Sequence, residues 1–547
     1  MGSTSRGIAT RSISLQPSRR QFVTTALAAP ALLALCRKGL PASTASAAFQ
    51  GSEQTLNVMF GSAVEDRVGG LGWHGSGFPS GLLFRALFLP EKNLHDVQPD
   101  LASDYQFSDD NLTFTATMRD DVVWQDGEKV TADDVVWSIN TVLKASQALS
   151  LFTNTFALIE GADAVVDGTA EEASGLVADG NTITLKLVEP VGDLLPALGQ
   201  FLIYPKHLLE GSDPLQIHND PFGQNPVGNG MYKVQELNVG NYIVLTPSET
   251  YEGTPPKIQE IVLIGSTDPV SDAKAGRLHL FNTNQPDVIR GMAEVTTFSA
   301  YPIDALFYRY FVINAVDNPV MQDVKVRKAI LHAIDRTGLT QAIYGDVSAV
   351  INSGVPDTHP MHLDGLETYP FDPDLARQLL DEGGYDFNHT FRLRYYYGDD
   401  ISRTFMTAIA QQLQDVGMKV EVLQFQGDAT TELYEVRNYD LALKGLSAFN
   451  LRDWYAEYSW ANFVQIIGEQ PDMAEMIRQL EQTADESEQK SILAEMQKWE
   501  QENLWKLPLL TLSIYQYLSK SVSTPENPFS NPWWDYDMGF EEWEIQG

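Results

Sequence analysis

The chain has 547 residues, of which 43% are hydrophobic and 10% aromatic, and its formal net charge is −36 at pH 7. This composition is typical of a globular protein and excludes a disordered chain, while the acidic excess argues against nucleic acid as a partner, because phosphates favour basic surfaces. The length exceeds what one hydrophobic core normally supports, so two or more domains are expected.

The first 48 residues have the pattern of an export signal, with Arg19 and Arg20 before a short apolar run and small residues up to Ala48. The run is too short for an ordinary membrane-spanning helix, and the paired arginines resemble a twin-arginine signal. The alternative is an amphipathic or buried first helix. We expect cleavage after Ala47 or Ala48 and a periplasmic location. Loss of this segment removes six positive residues and no acidic one, which changes the net charge from −36 to −42.

Cys36 is the only cysteine of the chain, and it lies inside the predicted signal. The mature protein would then have no disulfide and no thiol chemistry. The sequence before Cys36 also suggests a lipoprotein cleavage site, but Leu35 fits that site poorly. We therefore expect no lipid anchor.

The elements that follow are a mixture of helices and strands. Apolar residues that alternate with polar ones predict strands over 112–118 and 181–190. Thr131 predicts the start of a capped helix, and apolar residues at helical spacing predict another helix over 326–334. Asp372, followed by a proline, predicts a further helix start. Helices and strands alternate most regularly after about residue 305, so the pattern predicts the α/β class.

The order of four segments resembles family 5 extracellular solute-binding proteins, the dipeptide, oligopeptide and nickel receptors of ABC importers. The segments are 97–140, 225–236, 310–336 and 369–386. The resemblance implies a two-lobed periplasmic binding-protein fold of the large peptide-receptor class, with the ligand cleft between the lobes. It also implies an inner-membrane ABC permease as partner. We expect a monomer without a cofactor, a metal site or enzymatic activity.

The resemblance also implies a division of the chain into lobes. The predicted ranges are the signal 1–48, lobe I over 49–306 with a subdomain near 96–210, lobe II over 307–514, and a return to lobe I over 515–547. Two apolar, strand-like segments, Phe307–Asn314 and Leu507–Leu518, would cross between the lobes as a hinge.

In this family the loop after the first strand contributes to the ligand site. Here that strand is 55–60, and the glycine-rich loop 72–81 carries Trp73, His74 and Ser76, which offer stacking and polar groups. The alternative is an ordinary glycine-rich surface loop.

The second lobe is expected to contribute the segments 394–398 and 444–460, since aromatic side chains with a few polar groups suit an enclosed cleft. Trp454 and Trp460 equally suit the core of the lobe. The residues predicted to contact a ligand here are Tyr395, Tyr396, Ser447, Phe449, Asp453 and Trp454.

One position departs from the peptide receptors, which typically carry an Asp after a Gly-Trp segment to pair with the peptide's amino group. Leu446 replaces the Trp, and Phe449 occupies the Asp position. Asp453, four residues later, is a possible replacement. Because a buried ammonium without an anionic partner is costly, we expect an uncharged or zwitterionic organic ligand, and an oligopeptide held by its backbone is one candidate.

Other functions are compatible with parts of the sequence. A metal or metallophore receptor is one alternative, in which His74 would serve, and a sugar or other neutral-solute receptor on the same fold is another. An exported hydrolase has no support, because neither G-x-S-x-G nor H-E-x-x-H occurs. The close pair His359 and His362 spans a proline and predicts a turn rather than a metal site.

Overall fold

The computed structural model describes residues 54–68, 79–94, 96–145, 150–192, 194–448, 450–483, 485–531 and 536–546. The predicted signal and Cys36 lie outside the described residues. Residues 51–547 cluster into one compact unit. The predicted lobe boundaries within this unit stay a prediction.

The strands form one large mixed sheet, a four-stranded antiparallel sheet and two small pairs. In chain order they are β1 (Thr55–Met59), β2 (Phe88–Pro90), β3 (Val97–Pro99), β4 (Ala102–Phe107), β5 (Thr113–Met118), β6 (Leu176–Asp179), β7 (Thr182–Lys186), β8 (Tyr232–Asn238), β9 (Tyr242–Pro247), β10 (Glu260–Ile264), β11 (Leu280–Thr283), β12 (Phe298–Ile313), β13 (Ser348–Val350), β14 (Thr390–Tyr395), β15 (Lys419–Gln424), β16 (Leu441–Ser447), β17 (Lys506–Ser519), β18 (Val522–Ser523) and β19 (Glu544–Ile545).

The helices cover the sheets and fill the connections between strands. They are α1 (Ser80–Leu83), α2 (Ala132–Lys144), α3 (Ser150–Phe156), α4 (Ala162–Val166), α5 (Leu194–Gln200), α6 (Lys206–Leu209), α7 (Pro269–Lys274), α8 (Pro286–Met292), α9 (Val324–Ala333), α10 (Arg336–Ile343), α11 (Pro373–Glu382), α12 (Asp400–Asp415), α13 (Ala429–Thr431), α14 (Leu451–Ala456), α15 (Ala461–Ile467), α16 (Pro471–Gln482) and α17 (Glu486–Asn503).

Local signals account for several of these boundaries. The predicted strands are present as β5 and β7, and α2 begins with the predicted capping box, in which Thr131 and Asp134 satisfy each other's orphan groups. Asp372 caps α11, and the helix ends before Gly383. The helix predicted over 326–334 is present as α9, which begins two residues earlier and ends one residue earlier, because Ile334 is extended and the next residue, Asp335, caps α10.

The large sheet runs in the order β15-β14-β16-β12-β17-β11-β1-β10-β9-β8, and β13 pairs with β17. The strands β15, β14 and β16 are parallel to one another. The long strands β12 and β17 pair antiparallel from Phe298 to Val312, with an irregularity between Ile303 and Phe307. They therefore join the β1 side of the sheet to the β14 side and contain both segments predicted as a hinge.

Separate cores lie around these strands. One cluster joins β1, the four-stranded sheet β4-β5-β7-β6 and α2. Two further clusters lie on opposite faces of β12, since Phe311 and Ile313 belong to one and Tyr308, Tyr310 and Val312 to the other. This alternation is the period of two that a strand buried on both faces requires. Within the described parts of the chain, no helix has the length and apolar character needed to cross a membrane.

Candidate ligand site

The carboxyl ends of β14 and β16 form one edge of the sheet, next to β12. In open α/β sheets, ligands bind outside the carboxyl ends of parallel strands, because the loops that follow leave a crevice there. β14 ends within 394–398 and β16 ends within 444–460, which are the two segments predicted for the second lobe. The edge is therefore the candidate site.

The last residues of β16 are paired on one side only. β16 pairs with β12 from Leu441 to Ser447, but its parallel pairing with β14 ends at Leu443. Beyond that point the neighbour is the side chain of Tyr396, whose hydroxyl accepts a hydrogen bond from the Gly445 N–H at 3.2 Å. The last residues of β16 thus face a side chain instead of a strand at the edge where a ligand would lie.

Two tyrosines and an arginine surround Gly445. The Tyr396 and Tyr397 hydroxyls are 2.7 Å apart, and Arg309, the partner of Gly445 in the sheet, lies between the rings of Phe307 and Tyr397. A Cβ at position 445 would overlap the Tyr397 hydroxyl and the Arg309 guanidinium. Burial raises the pKa of Tyr397, and the charge of Arg309 opposes that shift. The absence of a side chain at Gly445 thus permits this close approach.

A buried ion cluster lies on the other face of β12. The Glu457 carboxylate, with no exposed surface, accepts hydrogen bonds from Lys444, from Lys506 with Nζ 2.7 Å from Oε2, and from the Tyr310 hydroxyl. Burial alone would raise the pKa of Glu457, but the two lysines outweigh burial and lower the pKa to about 2. The carboxylate therefore stays ionised at neutral pH.

A second buried carboxylate, Glu500, holds Trp454. Its Oε1 accepts the indole N–H of Trp454 at 2.6 Å, and its Oε2 accepts the Gly354 N–H at 2.8 Å. Burial raises the pKa of Glu500, and these hydrogen bonds oppose the shift. The Trp454 ring also packs against Tyr308 and Tyr310 at 4.7 and 4.8 Å between ring centroids.

The structure places most of the residues predicted for the second lobe in two environments, the end of β16 and the core. Tyr396 and the exposed Ser447 lie at the open end of β16, and Asp453 is half-buried on α14. Tyr395 packs into the core on the Phe311 face of the sheet, where 6% of its surface is exposed.

Trp454 is fully buried on the Tyr310 face, which is the core position that the sequence left open. Direct contact of Trp454 with a ligand stays a prediction. Trp73, His74, Ser76 and Phe449 lie outside the described residues, so their placement at the cleft also stays a prediction.

The sequence analysis did not single out Arg309, Tyr397, Gly445 or Glu457. Arg309 carried a signal, because it is the charged residue of an otherwise apolar strand-like run, 307–313. The sequence around Glu457 gave no such signal, because a glutamate near a helix end is usually a surface residue. Only the tertiary fold buries Glu457 between two lysines.

Two cavities lie in other parts of the described chain. One, of about 360 Å³, is lined by residues that include Arg85, Asp100 and Tyr251, but the Arg85 guanidinium is already paired with Asp100 and Glu252. The other, of about 260 Å³, is lined by residues that include Pro319, Tyr385 and His389. We favour the strand edge over both, because it combines a strand end that lacks a strand neighbour on one side with convergent aromatic and charged groups.

Comparison with known proteins is consistent across sequence and structure. The model of the family described as bacterial extracellular solute-binding proteins, family 5 Middle, matches residues 96–463. A Brucella ovis protein named as an ABC transporter peptide-binding protein is 26% identical over 344 residues, which are 62% of this chain and 62% of the relative. The dipeptide-binding protein of Escherichia coli is 25% identical over 309 residues, 53% of this chain and 55% of the relative. The chain thus matches less than two thirds of the length of these relatives.

Solved structures resemble this chain over a longer range. Lactococcal OppA, complexed with an endogenous peptide in the closed conformation, has a TM-score of 0.74 and 17% identity, over 90% of this chain and 100% of that one. NikZ from Campylobacter jejuni, in complex with Ni(L-His), has a TM-score of 0.70 and 20% identity over the same shares. At these identities the likeness shows the fold, which is that of two-lobed binding proteins.

Proposed function

The chain belongs to the bacterial extracellular solute-binding proteins, family 5, and we propose that it captures an organic solute and delivers it to the permease of an ABC importer. The solute is a peptide or a peptide-like molecule. The observation that carries this proposal is the family match over 96–463, which includes β14, β16 and the edge they form. The protein acts by binding and release, without chemical conversion of its ligand.

The open end of β16 supports a peptide in particular. An extended chain recognised by a strand edge gains hydrogen bonds from the main chain and specificity from pockets for its side chains. Here one side of β16 after Leu443 faces Tyr396 and Tyr397 instead of another strand. A neutral backbone held this way needs no carboxylate at position 449.

Mass spectrometry of the molecules released from the purified protein by denaturation tests this proposal. Retained peptides would support it, and calorimetry with the same synthetic peptides would give their affinity. Nickel or a nickel chelate in the released fraction, measured by metal analysis, would replace peptide capture by metal transport. A retained sugar would favour the neutral-solute alternative.

The location outside the cytoplasm follows from the same proposal. We propose that the protein is exported folded by the twin-arginine route, is cleaved near Ala48 and acts in the periplasm as a monomer without a lipid at Cys36. Replacement of Arg19 and Arg20 by Lys should leave unprocessed precursor in the cytoplasm. Normal export of that variant would refute the route without affecting the proposed binding function.

Capture is proposed to close two lobes about β12 and β17. Both strands connect the two sides of the large sheet, and the irregularity of their pairing between Ile303 and Phe307 marks a point where a small rotation costs few hydrogen bonds. Small-angle scattering should show a smaller radius of gyration with saturating ligand than without it. An unchanged radius would refute the hinge.

A further inference from the structure

Arg309 is a cation that lacks an anionic partner among the described residues. Its guanidinium carbon lies 4.4 Å from the ring centroid of Phe307 and 4.1 Å from that of Tyr397. The buried Nη1 atom has no hydrogen-bond acceptor within the described chain. The stacked rings hold the guanidinium in one plane but supply no acceptor for its N–H groups.

The absence of a partner is notable because carboxylates are abundant. The chain has 73 acidic residues against 37 basic ones, and other arginines of this region have acceptors. Arg392 and Arg394 pair with the carboxylates of Asp440 and Glu421, and Arg336 donates to backbone carbonyls. An arginine stays charged at any physiological pH, and an unpaired buried donor is unfavourable. Among the described residues the Arg309 guanidinium therefore has no acceptor, and its hydrogen bonding would be completed by an acceptor from outside them.

Arg309 lies where such an acceptor can reach it. It is half-buried, it pairs with Gly445 in the sheet, and it is next to the open end of β16 at the exposed Ser447. Nη1 itself is buried against Gly445, where a Cβ would overlap it, so an acceptor must approach through the exposed part of the half-buried Arg309 side chain. A planar carboxylate matches the fork of a guanidinium and can accept two N–H groups at once.

We infer that Arg309 is the anion anchor of the ligand site and pairs with a carboxylate of the captured solute. The inference rests on the proposed function and narrows its substrate class to solutes with a free carboxylate, such as a peptide with an unmodified C-terminus. The rest of the ligand is neutral or positive, because the acidic chain disfavours further negative charge.

Two tripeptide libraries of the same composition test this inference, one with free C-terminal carboxylates and one with C-terminal carboxamides. Each is mixed with the purified protein, unbound peptide is removed by gel filtration, and retained peptides are counted by mass spectrometry. The wild-type protein should retain acids over amides at least tenfold. Arg309→Gln should lose that preference while still retaining amides, and Arg309→Lys should keep part of it.

Arg377→Gln is the matched control, because Arg377 also stacks on a ring, Phe387 at 3.8 Å, but lies on α11. Its preference for acids should equal that of the wild type. Circular dichroism and thermal unfolding check that every variant is folded.

Three results would overturn the inference. If the wild type retains acids and amides equally, or if Arg309→Gln keeps the preference, peptide capture stands and the anchor is refuted. If a folded Arg309→Gln variant loses acids and amides together, Arg309 acts on the shape of the site and not on the anion. If the wild type retains neither library, the proposed peptide capture fails and the inference fails with it.

Discussion

The two faces of β12 hold their charges in opposite ways. On the Tyr310 face, Glu457 is fully buried and meets Lys444 and Lys506, so each of these three charges has a partner of opposite sign. On the other face, Arg309 is half-buried between rings and has no acidic partner in the described residues. Since a buried charge without a partner is costly, the ion cluster of the first face stabilises the fold, whereas the guanidinium on the second is available for a ligand.

Removal of the Glu457 carboxylate from the Tyr310 face of β12 should have the largest effect on stability. Glu457→Ala leaves two lysine ammonium groups, one of them fully buried, without their anion. Loss of one partner of a buried ion pair costs about 3–5 kcal/mol, and we expect that decrease in the free energy of unfolding by urea denaturation. The control is Glu475→Gln, which breaks the exposed pair with Arg478 and should change the free energy little. Equal effects of the two variants would contradict the comparison.

The same carboxylate should make the protein sensitive to acid. The folded pKa of Glu457, about 2, is below its ordinary value of 4.5, so the unfolded state binds more protons between these values. The contribution of Glu457 to the free energy of unfolding is therefore fully present above pH 4.5 and is lost as the pH falls towards 2. This contribution is about 3 kcal/mol.

Urea denaturation of the wild type and of Glu457→Gln at pH 7, 4.5 and 3 gives the free energy of unfolding at each pH. The contribution of Glu457 is the difference between the two proteins in how steeply this free energy changes with pH. The wild type should lose more stability between pH 4.5 and 3 than the variant does. Burial raises the pKa of Glu500, so the folded protein binds this proton more tightly than the unfolded chain does. The contribution of Glu500 to stability therefore changes with pH in the opposite direction. Identical slopes for the two proteins would show that Glu457 is not held ionised by its lysines.

The sequence predicted those features that depend on neighbours along the chain. Asp372 at the start of α11 and the capping box of α2 follow from hydrogen bonds within one helical turn. Trp454 could be assigned neither to the core nor to the cleft, because its burial depends on Glu500 and Gly354, distant residues that surround its ring. Arg309 was missed for a similar reason, since only the fold reveals that no carboxylate of the described residues pairs with it.

Trp454→Phe, also on the Tyr310 face of β12, should have an intermediate effect on stability. Phenylalanine keeps most of the packing against Tyr308 and Tyr310 but removes the N–H that Glu500 accepts at 2.6 Å. A buried acceptor that loses its donor costs about 1–3 kcal/mol, which urea denaturation should detect. Trp460→Phe is the control, because Trp460 is half-buried at the margin of the same cluster and should cost less. Equal costs would show that packing, and not the bond to Glu500, decides the role of Trp454.

Gly445→Ala should affect stability least and ligand capture most directly. The added Cβ overlaps the Tyr397 hydroxyl and the Arg309 guanidinium, which are the ends of long side chains and can move aside. We therefore expect about 1 kcal/mol of destabilisation, the low end for an inserted methyl group, together with a lower retention of co-purified ligand by mass spectrometry. Gly211→Ala is the matched control, since a Cβ there meets no atom within 4 Å and should change neither quantity. Undiminished ligand retention in a folded Gly445→Ala variant would place the ligand away from this strand edge. The difference between the two faces of β12 would then have no role in ligand binding.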